Sequence, residues 1–178
     1  MRHLVLAASV VAGFSLPACA GDASPAKGTA AFYDLYVQMK PRGIPDAKQR
    51  AEISPLVSSD LGKLLDAAAA ADELHTKQTN NEEPPLFEGD LFTSLYEGAT
   101  SYKLGACVTE SDKAYCDVNL AYAEAGDAKP TTWTDKVALV HGPRGWLVDD
   151  VVFGGTWDFG QHGMMRGTLR QIAAYDGK

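Results

Sequence analysis

Asp149 and Asp150 are adjacent carboxylates in the run RGWLVDDVVFGGTWDFGQHG, from Arg144 to Gly163, which also carries Asp158 and His162. A carboxylate held away from water has its pKa raised, one beside a base has it lowered, and either shift can make a general acid or base. Strand alternation sends Trp146, Val148, Asp150 and Val152 to one face and Leu147, Asp149, Val151 and Phe153 to the other. One aspartate must then face the more buried side. Adjacent aspartates on opposite faces cannot act as one pair, and aspartates on an edge strand commonly solvate it or cap a turn. Asp149 and Asp150 therefore stand as ligand-pocket candidates, and no residue stands as a catalytic one.

The other reactive residue types lack the company their chemistry needs. Trp157-Asp158-Phe159-Gly160 contains the Asp-Phe-Gly of protein kinases, but no glycine-rich loop, strand lysine or catalytic-loop pattern accompanies it. It reads as a turn in which Gly154, Gly155 and Gly160 permit unusual dihedrals while Trp157 and Phe159 pack under a sheet. His75, His141 and His162 fall at the ends of elements, no His-Glu-x-x-His spacing occurs, and no serine lies in a Gly-x-Ser-x-Gly elbow. Neither a metal site nor a cofactor is predicted.

The chain has 178 residues, room for one domain with a real core. Met1-Arg2-His3 followed by the apolar run Leu4 to Leu16 reads as a signal peptide over residues 1–20, too short to anchor as a membrane span. Its end can be cut in two ways. Leu16-Pro17-Ala18-Cys19 fits a bacterial lipoprotein box, with Cys19 acylated as the first mature residue, whereas Ala18-Cys19-Ala20 fits cleavage after Ala20 and a released chain. Either cut leaves Cys107 and Cys116 as an even pair in an oxidising compartment. They lie on two alternating runs around Glu110-Ser111-Asp112-Lys113, and a turn centred on Ser111 and Asp112 sets them directly opposite each other, within reach of a disulfide. The expected location is the bacterial cell envelope, in the periplasm by a lipid anchor or in soluble or secreted form. The net charge of −7 comes without a basic patch, so nucleic acid is not an expected partner, and any membrane contact would run through the lipid.

Residues 21–29 (GDASPAKGT) read as a flexible tether, and residues 30–178 as one globular domain. Phe32, Leu35, Tyr36 and Met39 recur at helical spacing before Pro41; a short helix follows Pro45; a longer one begins at the cap residues Ser58, Ser59 and Asp60 and runs to about Lys77, with an alanine run suited to packing on a sheet. Residues 78–98 break the pattern and read as a loop with apolar anchors. From Ala99 the period changes to two, with strands predicted over Ala99 to Thr109, Lys113 to Ala123, Thr131 to His141 and Gly145 to Phe153, joined by short turns. Met165, Leu169, Ile172 and Ala173 return to helical spacing. The expected class is α+β: N-terminal helices packed on a curved antiparallel four-stranded meander, closed by a C-terminal helix.

Phe32-Tyr33-Asp34-Leu35-Tyr36-Val37, the Ile53-Ser54-Pro55-Leu56 before the long helix, and the strand ending Trp146-Leu147-Val148-Asp149-Asp150-Val151 resemble a family of exported bacterial proteins of unknown function. That family is similar to the cone-shaped α+β roll of the nuclear-transport-factor and scytalone-dehydratase superfamily, whose enzymes use acidic and histidine residues inside the cone. The likeness spans roughly residues 30 to 175 and departs from the pattern at a missing early strand between helices and at the Asn80 to Pro85 loop. The family has no agreed catalytic set, so the resemblance carries over no functional residue.

Leader, disulfide and a small stable fold without a reaction motif point to a non-catalytic envelope protein that binds another protein, of the inhibitor or immunity type toward a cell-wall enzyme. The alternatives are a cone domain binding a small ligand, or a dehydratase- or isomerase-type enzyme using Asp149 or Asp150. The binding candidates are Phe87, Leu91 and Phe92 beside Glu88 and Asp90, and Trp157 beside Asp158, because loops carrying aromatic anchors rimmed by charge are what interfaces favour.

Overall fold

The computed structural model describes residues 24–126 and 128–177. The expected leader and Cys19 lie outside them. Four α-helices and four strands follow in the order α1 (Pro25–Met39), α2 (Ala47–Ile53), α3 (Ser59–Gln78), β1 (Ser101–Glu110), β2 (Lys113–Tyr122), β3 (Thr131–Gly142), β4 (Gly145–Val152) and α4 (Met165–Ala173), with a 3-10 turn at Ser54–Leu56. The sheet is an antiparallel meander in the order β1-β2-β3-β4, so the chain has the expected α+β fold.

Helix α1 starts earlier than the residue pattern predicts. Pro25 to Thr29 belong to the helix and not to a tether: Ser24 is the N-cap and accepts the Lys27 N–H at 3.3 Å, and Pro25 takes the first helical turn, where its missing N–H costs nothing. Thr29, Phe32, Tyr33 and Tyr36 form the buried stripe of α1, which lies across the inner face of all four strands. The stripe stops where Lys40 turns left-handed ahead of Pro41. Helix α3 is capped by Ser58, whose hydroxyl accepts the Leu61 N–H at 3.0 Å. Its alanine run does not lie on the sheet; α3 packs chiefly against α4.

The inner sheet face is apolar: Ala114, Cys116, Val118 and Leu120 of β2, Val137 and Leu139 of β3, and Val148 and Val151 of β4 are all buried beneath α1 and the 90–95 segment. Cys107 and Cys116 are paired across the β1–β2 hairpin and joined by a disulfide, as the turn at Ser111 and Asp112 predicts. A bulge between Leu104 and Cys107 shifts the register of β1 by one residue. The outer edge of β4 is not open. Val57 bridges to Val148 and Met164 to Val152, with the Ser58 N–H on the Val148 carbonyl at 2.8 Å, so chain segments cover the hydrogen-bonding groups of that edge. Among the described residues no helix is long and apolar enough to cross a membrane.

Candidate functional site

Strict alternation fails in β4, and the failure decides what the two aspartates do. Ala138 pairs with Asp150 but Leu139 pairs with Val148, which leaves Asp149 as the extra residue of a bulge. Past the bulge the faces exchange: Val148 and Val151 both point inward, paired with the buried Leu139 and Val137, while Asp150 sits on the other side opposite Ala138. The predicted grouping of Val148 with Asp150, and of Asp149 with Val151, is therefore incorrect.

Both carboxylates are engaged by the helices that flank β4. Asp149 accepts the Ser58 hydroxyl at 2.5 Å and the Arg166 guanidinium at 2.6 Å. Asp150 accepts the Arg166 backbone N–H at 3.0 Å and its own neighbour's, Val151, at 2.8 Å. Helix α4 has Met164 at its N-cap position and no side-chain cap of its own, so Asp150 supplies from another element the acceptor that a Ser or Asp would give locally. Burial raises the pKa of Asp150, and the two N–H groups and the Arg166 charge act against that rise. The pair lines a shallow groove with Ser58, Ser59, Arg166 and Arg170. Its geometry is that of a staple joining α3, β4 and α4, in which one oxygen of each carboxylate, Oδ1, takes two donors.

The two segments proposed from the sequence for binding do come together. Gln161 donates its side-chain amide to the carbonyls of Asp90 and Thr93, the latter at 2.8 Å, and its backbone N–H to the Ser94 carbonyl at 2.8 Å. Gly155 donates to the Ser94 hydroxyl at 2.9 Å, and Ser94 is in turn held by Asp135 through its backbone N–H at 2.8 Å and its hydroxyl. Asp135, which is buried, also accepts the Trp133 indole N–H at 3.0 Å and the Gly154 N–H at 2.9 Å. Four donors on one carboxylate balance the cost of burying it. The turn at residues 154–163 is thus fastened onto the buried residues 90–94, and the surface over this junction is the candidate face.

Within that face the individual roles differ from those expected. Leu91 and Phe92 are not exposed anchors: at 0% and 1% exposure they are core, and Phe92 packs edge-to-face on Phe32 and Tyr36. Asp90 is not a rim charge either, being 2% exposed. Phe87 is half-buried against the core and lines a groove with Leu86, Ile172 and Tyr175 of the α4 side. Trp157 is half-buried, edge-to-face with Trp133 at 5.5 Å, which matches its predicted place under the sheet. Phe159 does not share that place. It is 72% exposed and stacks on the outer side of Trp157 at 6.2 Å and 21°, next to the exposed Asp158.

Residue pattern singles out neither Tyr36, Ser94, Asp135 nor Gln161 and sets Asp90 at a charged rim, yet these five build the support of this face. The Tyr36 hydroxyl donates to Asp90 at 2.8 Å and accepts the Ala99 N–H at 2.7 Å; Asp90 also accepts the Phe92 N–H at 2.8 Å. Only the local part of this network has a sequence signal, the Asp90-x-x-Thr93-Ser94 spacing typical of side-chain-to-backbone turns. No group of three or more metal-ligating side chains occurs among the described residues. Comparison with known protein families, with curated proteins and with solved structures gives no match to this chain.

Proposed function

We propose that this chain is a non-catalytic, exported domain of the cell envelope that binds another protein through the surface over the junction of residues 90–94 with the turn at residues 154–163, acting as an inhibitor or immunity-type factor toward a cell-wall enzyme. The observation that carries the reading is Phe159. A phenyl ring 72% exposed is costly to keep in water, and here it is held in place by the Trp157 stack and by a turn fastened at Gln161 and Gly155. An aromatic ring presented on a rigid support beside a carboxylate is the anatomy of a binding hot spot. The inner face of the sheet supports the same reading, because α1 and the 90–95 segment fill it with Phe32, Tyr33, Leu91 and Phe92, all at most 2% exposed, where a ligand-binding cone would be hollow. The structural engagement of Asp149 by Ser58 and Arg166, and of Asp150 by the start of α4, argues in the same direction against the dehydratase or isomerase alternative. The disulfide fits an extracytoplasmic setting.

Affinity capture from envelope extract with the wild-type chain and with Phe159→Ala tests the proposal. Proteins retained by the first and lost by the second, at equal thermal stability, are the expected result. Identical retention by both folded forms would remove this face from the binding function.

A further inference from the structure

The start of α1 sets which end of the domain a lipid at Cys19 would hold. Cys19 lies outside the described residues, but the N-cap of α1, Ser24, follows it by five residues, and Pro25 already belongs to the helix. The chain from Cys19 to Ser24 can therefore span at most about 18 Å, at about 3.5 Å per residue. The start of α1 is in turn fixed to one end of the sheet. Gly28 lies against the backbone of Trp146, the second residue of β4, with no room for a Cβ. The turn between Gly142 and Gly145 is at that end, and so is the β1–β2 turn, whose Asp112 carbonyl accepts the His141 N–H at 2.7 Å. The aromatic turn is at the other end. Strand β4 runs from Gly145 to Val152, about 25 Å at about 3.3 Å per residue, and the chain passes from there into residues 154–163, with Gly154 held by Asp135 and the Phe153 N–H by the Gly163 carbonyl. Helix α1 crosses the sheet in the same sense, from Trp146 at Gly28 to Ala99 at Tyr36.

We propose that the chain, acylated at Cys19, docks on the phospholipid surface through the end that carries the start of α1, and holds the Trp157–Phe159 turn away from the bilayer, toward a partner that is not embedded in it. This orientation rests on the envelope setting of the preceding reading and adds which end faces lipid. The short reach from Cys19 keeps that end at the surface, and its side chains suit the contact. Lys27, Lys113 and Arg144 are exposed there against Glu110 and Asp112, in a chain whose net charge is −7. Trp146 is half-buried and meets the exposed His141 edge-to-face at 5.1 Å. Anionic headgroups attract basic residues, and tryptophan favours the membrane–water interface. The opposite end presents Phe159 beside the exposed Asp158, a carboxylate that anionic headgroups repel. A free tether running to Thr29 would let either end meet the surface; a helix begun at Pro25 removes that freedom.

The test uses the full chain, produced with its leader in a bacterial host, purified from membranes and reconstituted without partner into vesicles of phosphatidylethanolamine and phosphatidylglycerol that carry a headgroup spin label. A fluorescent residue is placed at the position of Ser111, in the β1–β2 turn, or of His162, beside the aromatic turn. Quenching should be severalfold stronger at the position of Ser111, and the difference should shrink in the variant Lys27→Glu, Lys113→Glu with wild-type circular dichroism. Equal quenching at the two positions, stronger quenching at the position of His162, or an unaltered difference in the double variant overturns the docking while leaving the anchor in place. A chain whose intact mass starts at Gly21 without acyl mass removes the anchor and the docking with it. None of these outcomes involves Phe159, so loss of partner capture in Phe159→Ala stands or fails separately.

Discussion

Asp150 caps a helix to which it does not belong: its Oδ1 accepts the Arg166 N–H at 3.0 Å, sixteen residues further along the chain, at the first turn of α4. A helix N-terminus leaves N–H groups without intrahelical partners, and replacing their acceptor typically costs about 1 to 2 kcal/mol. Asp150→Ala should therefore lower the unfolding free energy by about 1 to 2 kcal/mol in urea titration, and Asp150→Asn, which keeps an acceptor, by clearly less. Neither change touches the Trp157–Phe159 stack, so neither should affect partner capture by the folded chain.

Removing the disulfide should destabilise without rearranging the hairpin. Cys107 and Cys116 are nine residues apart, and closing a loop that short is worth roughly 2 to 3 kcal/mol in the chain-entropy estimate. The double variant Cys107→Ala, Cys116→Ala should show that loss in denaturant unfolding while keeping the wild-type far-ultraviolet circular dichroism.

Phe92 and Phe159 separate core from surface. Phe92→Ala deletes a ring at 1% exposure and should cost about 3 to 5 kcal/mol, whereas Phe159→Ala removes a ring at 72% exposure and should stay within about 0.5 kcal/mol of wild type. Thermal melts of the two variants side by side are sufficient to check this.

The pH dependence of stability follows from Asp90. Its carboxyl is raised from 3.8 to about 7 in the folded chain, so between those values the folded state holds a proton that the unfolded state has released. The contribution is complete below about pH 4, declines as pH rises, and is gone above about pH 7, for a total on the order of 4 kcal/mol. The difference in unfolding free energy between wild type and Asp90→Asn, measured from pH 4 to pH 8, should fall in favour of the variant across that window.

The elements were legible in the residues where a local signal exists. The two-residue turn at Ser111 and Asp112 fixes the partnership of Cys107 with Cys116, and the Ser58 cap fixes the start of α3. The β4 bulge was hidden because a period of two cannot reveal one inserted residue until its partner strand is known; Ala138 and Leu139 show it only by their pairing. The start of α1 was hidden because Ser24-Pro25 has the composition of a tether and the geometry of a cap. The 90–96 segment was hidden for a different reason. Burying such a polar loop requires acceptors and donors from Asp135 and Gln161, 41 and 71 residues from the groups they bind, and nothing in the local sequence announces partners at that range.

The most direct measurement of the binding claim is site-specific photo-crosslinking in cells that produce the chain. A photoreactive residue is placed in turn at the position of Phe159, on the aromatic turn, and of Val108, which is also exposed at 59% but lies on β1. Discrete adducts from the position of Phe159 and none from the position of Val108 are the predicted result. Adducts from the position of Val108 alone, or the same adducts from both, would contradict the account.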